Sequence, residues 1–547
     1  MTLQMHNARP NSVWFRLGTA VGIGLLAAIC TYPWWKGVSP WASVAFFVAA
    51  ATVADMPQAA LEMAPFPHFA ILIAALQYGL APLASHYYVS DTEYQIASLT
   101  HYFAYGGPVL LAVALGWAVS FLGPGLGTTP STRQQDNPSL ARELDWLLWG
   151  GMLFDFFGAD FGGGGLGFAV VLLGNLRYLG AMGWMILAKP GWKGRVAMVL
   201  AYEVISANRT GIFHDFILWA LSLLGVQMAL RRLKVTAFLA WLAATVAFVF
   251  FLQDAKWEIR QATWFGSNRV TVFGRPVELS PWTRPFVSVL CVADSAHKLF
   301  AGGYAEESLA DSMTRFNQGW IIDCILQRVP WSEPFARGET IFRALEASLL
   351  PRVLAPNKLL AGGRENMERF AGRTLTEGTS MNLGFAGEMY ANFGYLGGIL
   401  GCGIYALILG LLCRWIAVRA RTSPLWWAIA AYAGHWALKA ETDVGSVMNY
   451  VTKASLVVFA VTLCLPAFRA ALRGQGSADR GRTREDGTSI DAEVACRMQE
   501  SRDKGLQDEG TTDHCKKQKL GRQGAGIKRG QSETPKRLNT EISGRRK

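Results

Sequence analysis

Charge is scarce in this chain. Of its 547 residues only 17% are charged, against 51% hydrophobic, and a single soluble domain cannot bury that much apolar surface. The eight cysteines show no CxxC spacing and stand beside no histidine pair, which argues against a zinc site, so no metal is expected. The stretch "FGADFGGGGLG" at 157–167 follows no strand and precedes no Lys-Ser or Lys-Thr. It is therefore read as a flexible turn and not as a phosphate loop. There is no internal repeat at any period, an absence that argues against transporters built from repeated halves.

What is present is a series of apolar runs long enough to cross about 30 Å of hydrocarbon as helices. They cover 13–33, 40–58, 67–88, 103–122, 144–158, 166–188, 195–207, 211–230, 235–252, 394–416, 423–440 and 444–466. The expected fold is an all-α polytopic membrane bundle of about twelve transmembrane helices. The runs at 144–158 and 195–207 are short for a full span, as tilted, broken or re-entrant segments are. The first run lacks a small-residue cleavage site before Pro33-Trp34-Trp35 and reads as a retained anchor.

Cationic loops orient such a bundle. Lys189, Lys193 and Arg195, then Arg231, Arg232 and Lys234, then Arg414, Arg419 and Arg421, and finally Arg469 and Arg473 all fall on one side when spans alternate. Both termini are therefore expected in the cytoplasm. The expected layout is an N-terminal bundle over 1–252, an extracytoplasmic loop over 253–393 with amphipathic helices, C-terminal spans over 394–473 and a disordered basic tail over 474–547. From Arg469 onward there are 19 Lys and Arg against 12 Asp and Glu. Much of the net charge of +12 thus belongs to a solvated tail, so nucleic acid is not an expected partner, whereas membrane lipids are.

A loop of about 140 residues is too long to be a mere connection. Between Glu306 and Gln327, Leu309, Met313, Phe316, Trp320, Ile321 and Cys324 recur at helical spacing, with Asp311 and Arg315 on other faces. In "ETIFRALEASLLPRVLAPNK", Ile341, Leu345 and Leu349 stand four apart before Pro351. Both helices are expected to lie across the outer mouth, apolar side down. Cys291 and Cys324 share this loop and form either a disulfide or two separate thiols.

Ionisable residues at membrane depth are costly, about 2.5–3.5 kcal/mol each on insertion scales, so each marks a candidate site. Arg209 in "SANRTGIFHDF", with His214 and Asp215 just beyond it, is either a snorkelling end residue or part of a site. Lys256 and Arg260 in "KWEIR" are either a solvated face or further members of it. His214 and Asp215 are expected to bond each other or a backbone carbonyl. Arg352 and Lys358, then Glu388, Tyr390 and Asn392, complete a set at the outer ends of the spans. Guanidinium forks and ammonium groups gathered there suit a membrane-anchored diphosphate. Gly394, Gly397, Gly398 and Gly401 read as a close helix-packing face.

The sequence "GETIFRALEASLLPRVLAPNK", followed by "TSMNLGFAGEMYANFGYLGG" leading into a span, with "KWEIR" before them and "SANRTG" further upstream, resembles the bacterial O-antigen and exopolysaccharide repeat-unit polymerases. The likeness is strongest over 250–420. It implies a glycosyltransferase of the inner membrane that moves a growing glycan from undecaprenyl diphosphate onto a new lipid-linked repeat unit, without a cofactor. It also implies a chain-length regulator or flippase as possible partners. In that reading Arg209, Arg260 and Arg352, assisted by Lys256 and Lys358, stabilise the departing diphosphate. Glu388 is the candidate base, with Asp215 or His214 in reserve, and Tyr390 and Asn382 hold sugar hydroxyls. Asn392 and Arg315 are further substrate-binding candidates. The alternatives are an O-antigen ligase and a transporter or flippase for lipid-linked sugars.

Overall fold

The structure is a computed structural model that describes residues 11–60, 63–88, 94–122, 137–158, 165–210, 214–230, 268–280, 283–301, 314–350, 363–375 and 380–474, with isolated positions between 236 and 259. The tail from 475 onward, with Arg352, Lys358, Lys256 and Arg260, lies outside the described residues. The chain divides into two units, Met1–Ser477 and Ala478–Lys547, and every described helix and strand belongs to the first.

The first half is almost wholly helical: α1 (Asn11–Trp35), α2 (Ser43–Ala59), α3 (Phe66–Ala75), α4 (Ala81–Tyr88), α5 (Leu99–Ser120), α6 (Pro138–Gly158), α7 (Gly165–Gly174), α8 (Leu176–Leu187), α9 (Trp192–Thr210) and α10 (His214–Ala229). Seven helical segments among the described residues are long and apolar enough to cross a bilayer. The expectation of about twelve is thus met only in kind. The other runs are broken, short or partly outside the described residues; α10, for instance, is apolar but too short for a span by itself.

A two-stranded hairpin, β1 (Arg269–Val272) and β2 (Arg275–Glu278), departs from the all-helical expectation. Its two-residue turn, Phe273-Gly274, has positive φ at both positions (49° and 75°), the requirement of a tight turn matched to strand twist. Helix α11 (Arg284–Phe300) covers it, and Val270, Val272, Val287 and Cys291 form a small separate core. Cys291 therefore sits in this core, and neither it nor Cys324 is in a disulfide.

The remaining helices are α12 (Gly319–Arg328), α13 (Glu339–Leu349), α14 (Gly384–Ala420), α15 (Leu425–Gly434), α16 (Val444–Cys464) and α17 (Pro466–Leu472). Helix α12 turns Trp320, Ile321, Ile322 and Ile325 onto the core shared by α2–α5 and α14. The buried stripe of α13 is Thr340, Ala344 and Ser348, while Phe342 and Leu349 remain exposed at 71% and 66%. Small side chains win that face because α16 comes so close that a Cβ on Gly445 would stand 2.7 Å from the Ala344 Cβ.

Helix α14 begins ten residues before the expected span and turns at Gly394, whose φ of 70° and ψ of −160° are not helical. After the turn the chain packs back on itself, since a Cβ on Gly398 would meet the Tyr390 Cα at 3.1 Å and one on Gly401 the Met389 Sδ at 2.7 Å. The glycine face read from sequence thus joins two arms of one element. Glu388, Tyr390 and Asn392 stand on the first arm.

Candidate functional site

The turn Lys439–Asp443, between α15 and α16, touches two polar centres. On one side, Asp215 occupies the first turn of α10, where a carboxylate suits the unpaired N–H groups of a helix start. Helix α15 gives way at Gly434 to a 3₁₀ turn, His435–Leu438, after which Lys439 is extended. Lys439 Nζ donates to Asp215 Oδ1 at 2.8 Å, and His435 Nε2 lies 3.4 Å from the same oxygen. Asp215 is thus paired across the bundle and not merely with its neighbour or a carbonyl.

Aromatic rings enclose this pair. The His435 ring stacks on Trp219 at 4.2 Å, and Trp219 stacks on Tyr178 at 3.9 Å. Trp436 stacks on Tyr450 at 4.8 Å, and the Lys439 ammonium stands 5.4 Å over Trp436. Lys453 approaches the Phe168 ring at 4.9 Å. Planar rings beside charged groups make a surface for the C–H faces and hydroxyls of a sugar, and the ammonium groups add affinity for an anion. An apolar groove of about 350 Å³ between α14, α15 and α16 reaches Gly434, Ala437 and Leu438, next to Lys439.

On the other side of the turn, Glu388 is 1% exposed. Its Oε1 accepts from Thr340 Oγ1 at 2.7 Å, and its Oε2 accepts from the Val444 backbone N–H at 2.7 Å. Asp443 Oδ1 accepts from Ser446 N at 2.7 Å, so two carboxylates cap the start of α16. Burial pushes the Asp443 carboxyl above the usual range. Asn392 Nδ2 donates to Thr340 Oγ1 and to the Glu388 carbonyl, and its Oδ1 accepts from Gly338 N. Tyr390 Oη donates to the Val329 carbonyl at 3.3 Å. Glu388 and Asn392 hold α13, α14 and α16 together, a positioning task, while Tyr390 ties α14 to the end of α12.

A third cluster lies within the helices. Arg177, buried near the start of α8, meets Asp155 at 2.9 Å and Glu203 at 2.6 Å, and Tyr202 Oη donates to Asp155 at 2.8 Å. Two acids flank the one guanidinium, so its positive charge is paired on both sides and the cluster holds one negative charge in excess.

Of the residues named from sequence whose side chains are described, Asp215 alone belongs to the aromatic and cationic centre. Lys256, Arg260, Arg352 and Lys358 lie outside the described residues, and of Arg209 and His214 only the backbone is described. Asn382 precedes α14 against Gly363, and Arg315 lies in a single helical turn before α12. Lys439, His435, Trp219 and Arg177 were missed, though "GHWALKAETDVG" at 434–445 places a His and a Lys at the end of an apolar run. In the long loop, Arg369 bridges Glu333 at 2.6 Å and Glu339 at 3.1 Å. Those hydrogen bonds raise its pKa further above neutrality.

Comparison with protein-family models, curated proteins and solved structures found no match.

Proposed function

We propose that this chain is a membrane glycosyltransferase that polymerises oligosaccharide repeat units carried on undecaprenyl diphosphate, working at the outer leaflet of the bacterial inner membrane. The observation that carries the reading is the Lys439–Asp215 pair, set among Trp219, His435, Trp436 and Tyr450, with an apolar groove lined by Gly434, Ala437 and Leu438 beside it. A charged, ring-lined head region with an apolar groove beside it suits a sugar diphosphate on a long lipid.

In this account the anomeric C–O bond breaks with its electron pair passing to the diphosphate. Lys439, turning from Asp215 to the phosphate oxygens, stabilises that charge, with Arg209, Arg260, Arg352, Lys256 and Lys358 as further cations. Asp215, released from its partner, accepts the proton of the attacking sugar hydroxyl. Glu388, with both oxygens engaged, keeps the frame around the reaction and does not act as the base. A chain-length regulator is the expected partner, and no cofactor enters.

A second reading, a flippase or transporter for lipid-linked sugars, draws on the break at Asn175 between α7 and α8 and on Arg177 near the middle of the candidate span Gly167–Leu187. Broken helices with charge at that depth suit an alternating-access site.

The glycans of a bacterium lacking this protein separate the readings. The polymerase predicts surface glycan of a single repeat unit with intact export. Lipid-linked units retained on the inner leaflet would replace it with the transporter, and finished lipid-linked polymer that is never handed on would indicate a ligase.

A further inference from the structure

Helix α13 is entered through two residues in the left-handed region, Arg337 (φ 51°) and Gly338 (φ 92°). Glycine adopts that conformation freely, whereas it is unfavourable for an arginine. The turn of α14 keeps it, because three successive N–H groups are pinned there. Ala336 N donates to the Ala391 carbonyl at 2.9 Å, Arg337 N to the Asn392 carbonyl at 3.0 Å and Gly338 N to Asn392 Oδ1 at 2.9 Å. Arg337 is exposed, and its guanidinium makes no hydrogen bond or ion pair among the described residues. The nearest acids in sequence do not claim it, since Glu333 bonds to Arg369, and Glu339 to Arg369 and Arg343. An arginine kept where the backbone favours glycine, with its charge uncompensated, points to a use for the side chain.

That charge stands at one end of a candidate span. From Tyr395 to Cys413 α14 carries no charged residue. Tyr395 and Trp415, both exposed, lie about 30 Å apart along the helix, the thickness of a hydrocarbon slab with an aromatic ring at each boundary. Phe393 is at the first boundary. A Cβ on Gly397 would meet its Cβ at 2.6 Å, and one on Gly338 would stand 3.7 Å from its ring. The exposed apolar side of α14, with Leu396 and Leu400, therefore continues through exposed Phe393 to α13. There Phe342, Leu345 and Leu349 share the face opposite Thr340, Ala344 and Ser348.

We propose that Arg337 binds the phosphate of an anionic bilayer phospholipid, its guanidinium fork on the phosphate oxygens and the acyl chains against Phe393, Phe342, Leu345 and Leu349. A headgroup without a cation of its own, as in phosphatidylglycerol, suits an uncompensated guanidinium better than phosphatidylcholine does.

The test uses the full chain in phosphatidylcholine nanodiscs that carry phosphatidylglycerol with a photoreactive acyl chain, mapping labelled peptides by mass spectrometry. Labelling is expected within α13. Unlabelled phosphatidylglycerol should compete about ten-fold better than diacylglycerol of the same chains, the ratio one charge-assisted hydrogen bond supports. Arg337→Gly, which loses the fork and relieves the backbone, should cut labelling by a similar factor with melting little changed, so the loss does not hinge on folding. Leu349→Glu should lower labelling with Arg337 in place. Equal competition by diacylglycerol, or full labelling of Arg337→Gly, would overturn the phosphate contact. Stronger competition by undecaprenyl phosphate than by phosphatidylglycerol would make this a carrier-lipid subsite instead, and no labelling of α13 would mean that protein covers the face.

Discussion

Lys439 and Asp215 are 224 residues apart in sequence and 2.8 Å apart in space. Their bond ties the end of α15 to the start of α10. The Lys439 side chain is 9% exposed and that of Asp215 40%, so the ammonium is held against the bundle while the carboxylate meets the surroundings. An ion pair that is partly open is suited to exchange partners with a charged substrate.

Replacing Lys439 by Met is expected to lower glycan elongation about 100-fold, the scale of losing one transition-state charge partner. Stability should fall by only roughly 1 kcal/mol, because the half-exposed Asp215 regains solvent. Elongation in vesicles and thermal melting in nanodiscs measure the two effects separately. An equal fall in both would make the pair structural.

Glu388→Ala should behave in the opposite way. It leaves the Val444 N–H and the Thr340 hydroxyl without their acceptor, and a loss of about 2–4 kcal/mol is expected. Glu388→Gln retains one acceptor and should lose less, with elongation per folded molecule near the parental rate. A folded Glu388→Gln protein that is inactive would return the base to this residue.

Gly394→Ala and Gly445→Ala test the turn within α14 and the close approach of α16 to α13. At Gly394 the backbone lies where only glycine is unstrained (φ 70°, ψ −160°), and a cost of about 1–3 kcal/mol is expected. At Gly445 the new methyl would meet Ala344 Cβ at 2.7 Å, a clash of similar size. Only the second should be relieved by Ala344→Gly, which melting of the double variant would show.

Asp323 gives a pH dependence. Burial raises its pKa above the ordinary carboxylate value, although Ala97 N and Gln327 Nε2 donate to it. The native state therefore holds this proton more tightly than the unfolded chain. Its contribution is fully present below the unfolded pKa and is lost as pH rises through the raised folded value. Asp323→Asn should flatten the stability curve in that window, and an unchanged curve would assign the slope to other groups.

Much of the helical plan was legible because apolar runs of spanning length leave few alternatives in composition. The hairpin was not, since "RVTVFGRPVE" at 269–278 is a short alternating stretch inside a long polar loop. The side of α13 that packs on protein was not legible for a physical reason: Ile341, Leu345 and Leu349 carry its hydrophobicity, but the close approach of α16 admits Thr340, Ala344 and Ser348. At the site, isolated ionisable residues could be located in sequence, yet their pairing could not. Lys439 stands at the end of an apolar run, and only the fold sets it on Asp215.

The most direct test is elongation of purified lipid-diphosphate-linked repeat units by the protein alone in vesicles, comparing the parental chain with Asp215→Asn. The account predicts a ladder of lengthening glycan from the parent and single units from the variant, with lipid-linked substrate still bound by both. A full ladder from Asp215→Asn, or no ladder from the parent, would contradict it.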